Sequence, residues 1–214
     1  MKMAAAVVDI SEVSNGAAPV IQGNYPYIAH FQIEGTANLL LHAWNVDAVA
    51  EKASAKKGSD GKKTDNLESY VRRNDEGLIC MPVEYIRMSI VTAAKFRQDP
   101  RSPRKSGMDL FKAGIVSLEE LSPIIAADGH PTTKWEIEDR RRVQVQRAGI
   151  TRVRPAFKAG WSVAASLMVS IPEYIQPKDL NETLASAGRL IGVGDFRPTF
   201  GRFNVTRFEV MTSD

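Results

Sequence analysis

The sequence predicts an α+β fold in which helices cover one face of an antiparallel sheet and long loops are inserted between the elements. Two periodicities carry that prediction. Apolar residues alternate at Tyr27, Ala29, Phe31 and Ile33, and again at Trp161, Val163, Ala165, Leu167 and Val169, the spacing of half-buried strands. They recur at helical spacing at Val83, Ile86, Ile90, Val91 and Ala94, and at Leu180, Leu184, Ala187 and Ile191. An apolar fraction of 43% and a charged fraction of 25% are those of a globular chain, and 214 residues suffice for a core without disulfides or metals.

Residues 1–24 read as an irregular N-terminal arm, interrupted by Pro19 and Gly23, and residues 25–214 as a single domain. The run Met1–Val8 is shorter than a signal core. A strand follows from Tyr25, Gly35 permits a bend or bulge, and Leu39, Leu40, Leu41 and Trp44 form a second apolar patch. Near 50–66 the segment EKASAKKGSDGKKTDN is too polar to bury itself; its Lys52, Lys56, Lys57, Lys62 and Lys63 suit solubility. After the buried run Leu78, Ile79 and Met81, Pro82 opens a helix that reaches about Phe96.

The basic stretch 97–110, with two prolines, reads as an irregular, exposed excursion. Strand-like runs follow at Phe111–Val116, Trp135–Ile137, Val143–Gln146 and Ile150–Val153, then a cleaner strand over Trp161–Ile171 that Pro172 ends. A second helix begins after Pro177, with Asp179 and Glu182 near its N-terminus; Gly192 and Gly194 stop it. Phe203, Val205, Arg207 and Glu209 mark a last strand. The order strand, helix, strands, strand, helix, strand predicts a modified ferredoxin-like or RNA-recognition-type sandwich with one sheet face left open.

Several chemistries are excluded or disfavoured. Cys80, alone in the apolar run LICMP, forms no intrachain disulfide and reads as a buried inert thiol, in keeping with a reducing, cytoplasmic setting. No Cys/His pairs stand at zinc-ligand spacing, no stretch is long and apolar enough for a membrane span, and no cofactor is expected. His30, His42 and His130 stand in no motif with a carboxylate and read as structural or surface residues. The stretch GRLIGVGDFRPTFG lacks a phosphate-loop lysine and follows a helix rather than opening one.

What remains is electrostatic. The net charge is only +3, yet RRRVQVQRAGITRVRPAFK carries seven cations and no acid: Arg140, Arg141, Arg142, Arg147, Arg152, Arg154 and Lys158. Arginine pairs with phosphate and stacks on bases, so a strand bearing Arg152 and Arg154 on one face reads as an anion-binding strip. In the glycine-rich stretch, Gly192, Gly194 and Gly201 permit close approach of a ligand, Arg189, Arg197 and Arg202 offer phosphate contacts, and Phe196 or Phe200 a stacking surface. The equal rival there is a tight structural turn with Asp195 paired to an arginine. Arg97, Arg101, Arg104 and Lys105 form a further basic group, beside which Met108, Leu110 and Phe111 form either an apolar wedge or a return to the core.

The opening FQIEGTANLLLHAW, the central ICMPVEYIRMSIVTAAK and the closing GRLIGVGDFRPTFGRFNVTRFE resemble small phage and mobile-element proteins related to the RAMP superfamily, which includes backbone subunits of CRISPR effector complexes. The resemblance implies a modified RNA-recognition domain with a glycine-rich loop between its last helix and last strand. It also implies nucleic-acid contacts from Arg87 and Lys95, and self-association along a strand. The catalytic histidine of the superfamily's RNA-processing members has no counterpart, so binding is carried over and cleavage is not.

The expectation is therefore a non-enzymatic binder of single-stranded RNA or DNA that coats the strand as an oligomer. The rival from another class is a phage-encoded protein-interaction module that mimics a subunit of a host nucleic-acid-binding complex. A metal-dependent nuclease would have only Glu136, Glu138 and Asp139 to work with, and acids beside arginines are usually salt-bridged.

Overall fold

The computed structural model describes residues 25–46, 50, 53–54, 66–145 and 148–212. The 1–24 arm and the lysine-rich loop, including Lys52, Lys56, Lys57, Lys62 and Lys63, lie outside them or nearly so, as does Arg147.

The chain opens with β1 (Tyr27–Gly35) and the short β2 (Leu39–Leu40). After a 3-10 turn at Leu67–Tyr70 come β3 (Arg72–Arg73), β4 (Ile79–Pro82) and the helix α1 (Val83–Ala93). A small hairpin, β5 (Gln98–Asp99) and β6 (Ser102–Ser106), leads into α2 (Met108–Gly114), β7 (Ile115–Ser117) and β8 (Leu121–Pro123). A long hairpin, β9 (Ile137–Val145) and β10 (Ala148–Phe157), precedes β11 (Ser162–Val169), α3 (Pro177–Leu190) and β12 (Phe203–Thr212).

The principal sheet has the order β12-β1-β11-β7, every neighbour antiparallel. With α1 between β1 and β7 and α3 between β11 and β12, this is the split βαβ arrangement of a ferredoxin-like fold. Alternation along β1 puts Tyr27, Ala29, Phe31 and Ile33 at 3% exposure or less on the core side, where they join Ile86 and Ile90 of α1 and Leu180 and Leu184 of α3. Burying one such side chain contributes about 2 kcal/mol. Helix α3 starts on Pro177, and the Asp179 carboxylate accepts the Gln176 N–H at 3.3 Å, closing the exposed end as N-terminal acids do.

Two further three-stranded sheets accompany this sandwich, besides the β5-β6 hairpin. Strand β2 pairs with the end of β10, Leu40 opposite Ala156 and Leu39 opposite Phe157, which fastens the long hairpin to the body. Strands β3, β4 and β8 form the other.

Four local expectations need correction. Phe111 lies in α2, not in a strand: Leu110, Phe111 and Gly114 are buried at helical spacing against α1, so packing overrides the β preference of the run. Leu110 and Phe111 return to the core at 2% and 3% exposure, while Met108 stays partly exposed. Trp44 does not join the buried leucines and is 67% exposed. The bulge of β1 falls between Gln32 and Ile33 against β12, whereas Gly35 gives the Trp161 indole its seat, a Cβ there meeting Nε1 at 2.0 Å. The basic excursion after Arg97 is exposed as expected but pairs as β5 and β6, with the Asp99 carboxylate accepting the Arg101 N–H at 2.9 Å.

Candidate functional site

The β9–β10 register decides which of the clustered arginines share a face. Arg141 stands opposite Arg152 and Asp139 opposite Arg154, so these four side chains lie on one face; Arg140 and Arg142, opposite Val153 and Thr151, lie on the other. Like charges directly opposite destabilise a sheet, and here the Arg141–Arg152 pair is kept. Asp139 holds Arg141 through two bonds of 2.5 Å, and that bonding raises the Arg141 guanidinium above its ordinary value.

The same face leans on the glycine-rich loop after α3. The Arg141 guanidinium carbon lies 4.2 Å from the Phe200 ring centroid and 5.1 Å from that of Phe196, within cation–π range of both. Arg154 goes inward instead: it is 3% exposed, donates from Nε to Asp195 at 2.8 Å and lies 4.7 Å over the Tyr70 ring. His42 adds a contact to Asp195 at 3.6 Å and an edge-to-face contact with Tyr70. Arg154 therefore fastens the hairpin to the loop and is no longer a candidate for phosphate contact, since so buried a guanidinium already has its partners.

The loop's glycines are needed for its own closure. Gly201 has φ +68°, and a Cβ there would sit 1.7 Å from the Val193 carbonyl oxygen; Gly194, at φ +78°, would press a Cβ to 2.6 Å from the Leu40 oxygen. Gly192 likewise faces the Phe200 and Gly201 backbone. Gly192 and Gly194 thus shape the loop by contacts within the chain. Phe196 is the one described non-glycine residue with positive φ, +54°, held by the Asp195 carboxylate on its N–H at 3.0 Å and by the Phe200 N–H on its carbonyl at 3.2 Å. Strain of this kind persists where the surroundings over-determine it, and it clusters at ligand sites.

Around that platform Arg197 and Arg202 are exposed, Arg152 is half-buried, and Arg189 is exposed at the end of α3. Arg202 donates to the Pro198 carbonyl at 2.7 Å. On the opposite hairpin face Arg140 pairs with Glu138 at 2.9 Å and Arg142 is exposed.

The other basic residues lie elsewhere. Arg97 is paired with Asp179 at 2.5 Å and Glu182 at 3.0 Å, at the N-terminal end of α3, while the glycine-rich loop leaves its C-terminal end. A 14-residue helix separates them by roughly 20 Å. Arg101 is paired with Asp99 at 2.8 Å and stacked 5.5 Å from the Tyr174 centroid; Arg104 and Lys105 are exposed on β6. Arg87 pairs with Glu84 at 3.2 Å within α1, and Lys95 lies 4.7 Å over the Phe96 ring.

The acids considered for metal chemistry are engaged in the same way: Glu138 and Asp139 hold arginines, and Glu136 accepts the Lys158 N–H at 2.7 Å. Cys80 is 2% exposed, and burial pushes its thiol up. No described helix is long and apolar enough to cross a membrane. Sequence reasoning missed Tyr70, which follows the lysine-rich loop with no motif to mark it.

No protein-family model and no curated protein matches the sequence. Among solved structures, the chain is similar to one described as the type III-B Cmr-beta complex bound to cognate target RNA, at TM-score 0.52 and 9% identity, over 89% of this chain and 62% of that one. The chain thus spans under two thirds of that protein's length. A chain of the Csm3-Csm4 subcomplex of a type III-A CRISPR-Cas interference complex aligns at TM-score 0.34 and 10% identity, over 91% and 83% of the two chains. The chain shares its fold with the Cmr-beta structure.

Proposed function

We propose that this chain binds single-stranded RNA on the surface where the β9–β10 hairpin meets the glycine-rich loop, acting as a binder rather than as an enzyme. The observation that carries the reading is the facing pair Arg141 and Arg152 beside Phe196 and Phe200. Cations set against ring faces supply the two things a single strand offers partners for, phosphate charge and base stacking. Exposed Arg197 and Arg202 extend the positive surface along the loop. The fold shared with a subunit structure described as bound to target RNA supports RNA over DNA as the first ligand to try. Several copies side by side on one strand complete the proposal.

The test is fluorescence anisotropy of labelled single-stranded RNA, single-stranded DNA and duplex DNA over a salt series, with an Arg141→Ala, Arg152→Ala double variant. Single-strand binding that weakens steeply with salt and drops in the variant is the expected result. Absence of binding to all three at low salt overturns the reading. Mass photometry on RNAs of increasing length reads the copy number.

A further inference from the structure

A second surface has the opposite character. A groove of about 730 Å³ runs between Trp44, the β3 strand, the first turn of α1 and the segment joining β7 to β8. Its apolar lining includes Trp44, Tyr85 and Leu118, of which Trp44 is 67% and Leu118 46% exposed. Among its unpaired charges the acids are in excess. Arg73 is paired with Glu68 and Glu84 with Arg87, which leaves Glu119 and Glu120 against the single cation Arg72, itself donating to the Trp44 carbonyl; Glu120 has no ion pair among the described residues. Glu119 uses one carboxylate oxygen on the Ser166 N–H. The buried Ser117 hydroxyl, also in the lining, has no hydrogen-bond partner among them.

The apolar surface continues onto the sheet face that the helices leave open. By register, Met211, Ile28, Met168 and Val116 form one row across all four strands, β12, β1, β11 and β7. Val116 is 44% exposed and the other three are partly so. Leu118 lies two residues beyond Val116, in the groove. Contiguous apolar patches of this kind mark interaction sites.

We propose that this groove and its apolar row dock a partner protein through a segment that presents leucine-like anchors flanked by lysine or arginine. The carboxylates of Glu119 and Glu120 repel phosphate and attract a cationic chain, so charge complementarity favours a basic polypeptide over nucleic acid. Trp44 supplies an exposed ring for an anchor or for a cation. The proposal is independent of RNA binding at the hairpin.

The test uses the full chain and three fluorescein-labelled synthetic peptides: one alternating lysine with leucine, a copy with glutamate for lysine, and a copy with serine for leucine. Anisotropy is read with tryptophan emission, and a shift is assigned to Trp44 by its loss in Trp44→Ala, since Trp135 and Trp161 also emit. The lysine–leucine peptide binds saturably, at least about fivefold more tightly than either copy, and shifts the emission. Trp44→Ala weakens it about tenfold or more, as expected of an exposed aromatic anchor. Glu120→Lys weakens it about three- to tenfold, with the melting temperature and RNA binding unchanged. Equal binding of the glutamate copy, or undiminished binding by both variants, overturns the proposal. So does RNA binding that both variants abolish, which assigns the groove to nucleic acid, or self-association that both abolish, which assigns it to a second copy.

Discussion

The two ends of α3 both carry arginines, and only one of them has cations to spare. At the N-terminal end Arg97 is met by two carboxylates, Asp179 and Glu182. At the C-terminal end Arg141 and Arg152 face each other, with Asp139 holding one of them and two aromatic rings beneath it. A count of cations along the sequence marks both regions as basic, the hairpin segment more so. What separates them is the cations beyond the paired ones: Arg97 is balanced by two acids, whereas beside the Asp139-held Arg141 stand Arg152, Arg197 and Arg202, which have no ion pair among the described residues.

That contrast can be broken at several points. The largest effect is expected at the loop that supports the basic face. Gly201→Val drives a Cβ into the Val193 carbonyl oxygen at positive φ, and denaturant unfolding should show a loss of about 3 kcal/mol or more, with RNA binding lost alongside. Arg154→Ala leaves Asp195 without its buried partner; a loss of about 2 kcal/mol, discounted because Asp195 is partly exposed, is expected in the same measurement. Arg141→Ala with Arg152→Ala should lower affinity for single-stranded RNA by roughly 10- to 100-fold at low salt. It should also flatten the salt dependence by about 0.7 per lost phosphate contact, with the melting temperature little changed.

At the other end of α3, Arg97→Ala should cost less than about 1 kcal/mol, because its ion pairs are solvent-exposed, and change RNA affinity less than about twofold. A large loss of affinity there would erase the distinction between the two ends. The smallest effect is acid-dependent. Arg101 holds the Asp99 carboxyl down at about 2, against an ordinary value of 3.8. A carboxyl depressed by folding stabilises the native state above its ordinary value and ceases to as pH falls through about 2, so stability should decline across that window. Arg101→Ala should return the Asp99 titration, followed by carboxyl-carbon NMR, toward 3.8.

Much of the fold was legible because burial imposes a period. The alternation along β1 and β11 and the helical spacing of Leu180, Leu184 and Ala187 needed no knowledge of partners. Phe111 was misread because it runs on into Ile115 and Val116, which do form β7, while packing of Leu110 and Phe111 against α1 makes their own segment a helix. Trp44 was misread because an apolar residue beside three leucines gives no sign of which way the chain turns.

For the site, composition alone identified the Arg140–Lys158 segment as the richest in cations, and it named Phe196, Phe200 and Asp195 as residues to watch. Only the tertiary structure decided that Arg154 turns inward to Asp195 while Arg141 lies on the rings, and that Arg97 is balanced by α3. The physical reason is range. A side chain's period is set by its own strand or helix, but its charge is set by whatever the rest of the chain brings within a few ångströms, and those partners are up to 85 residues away in sequence.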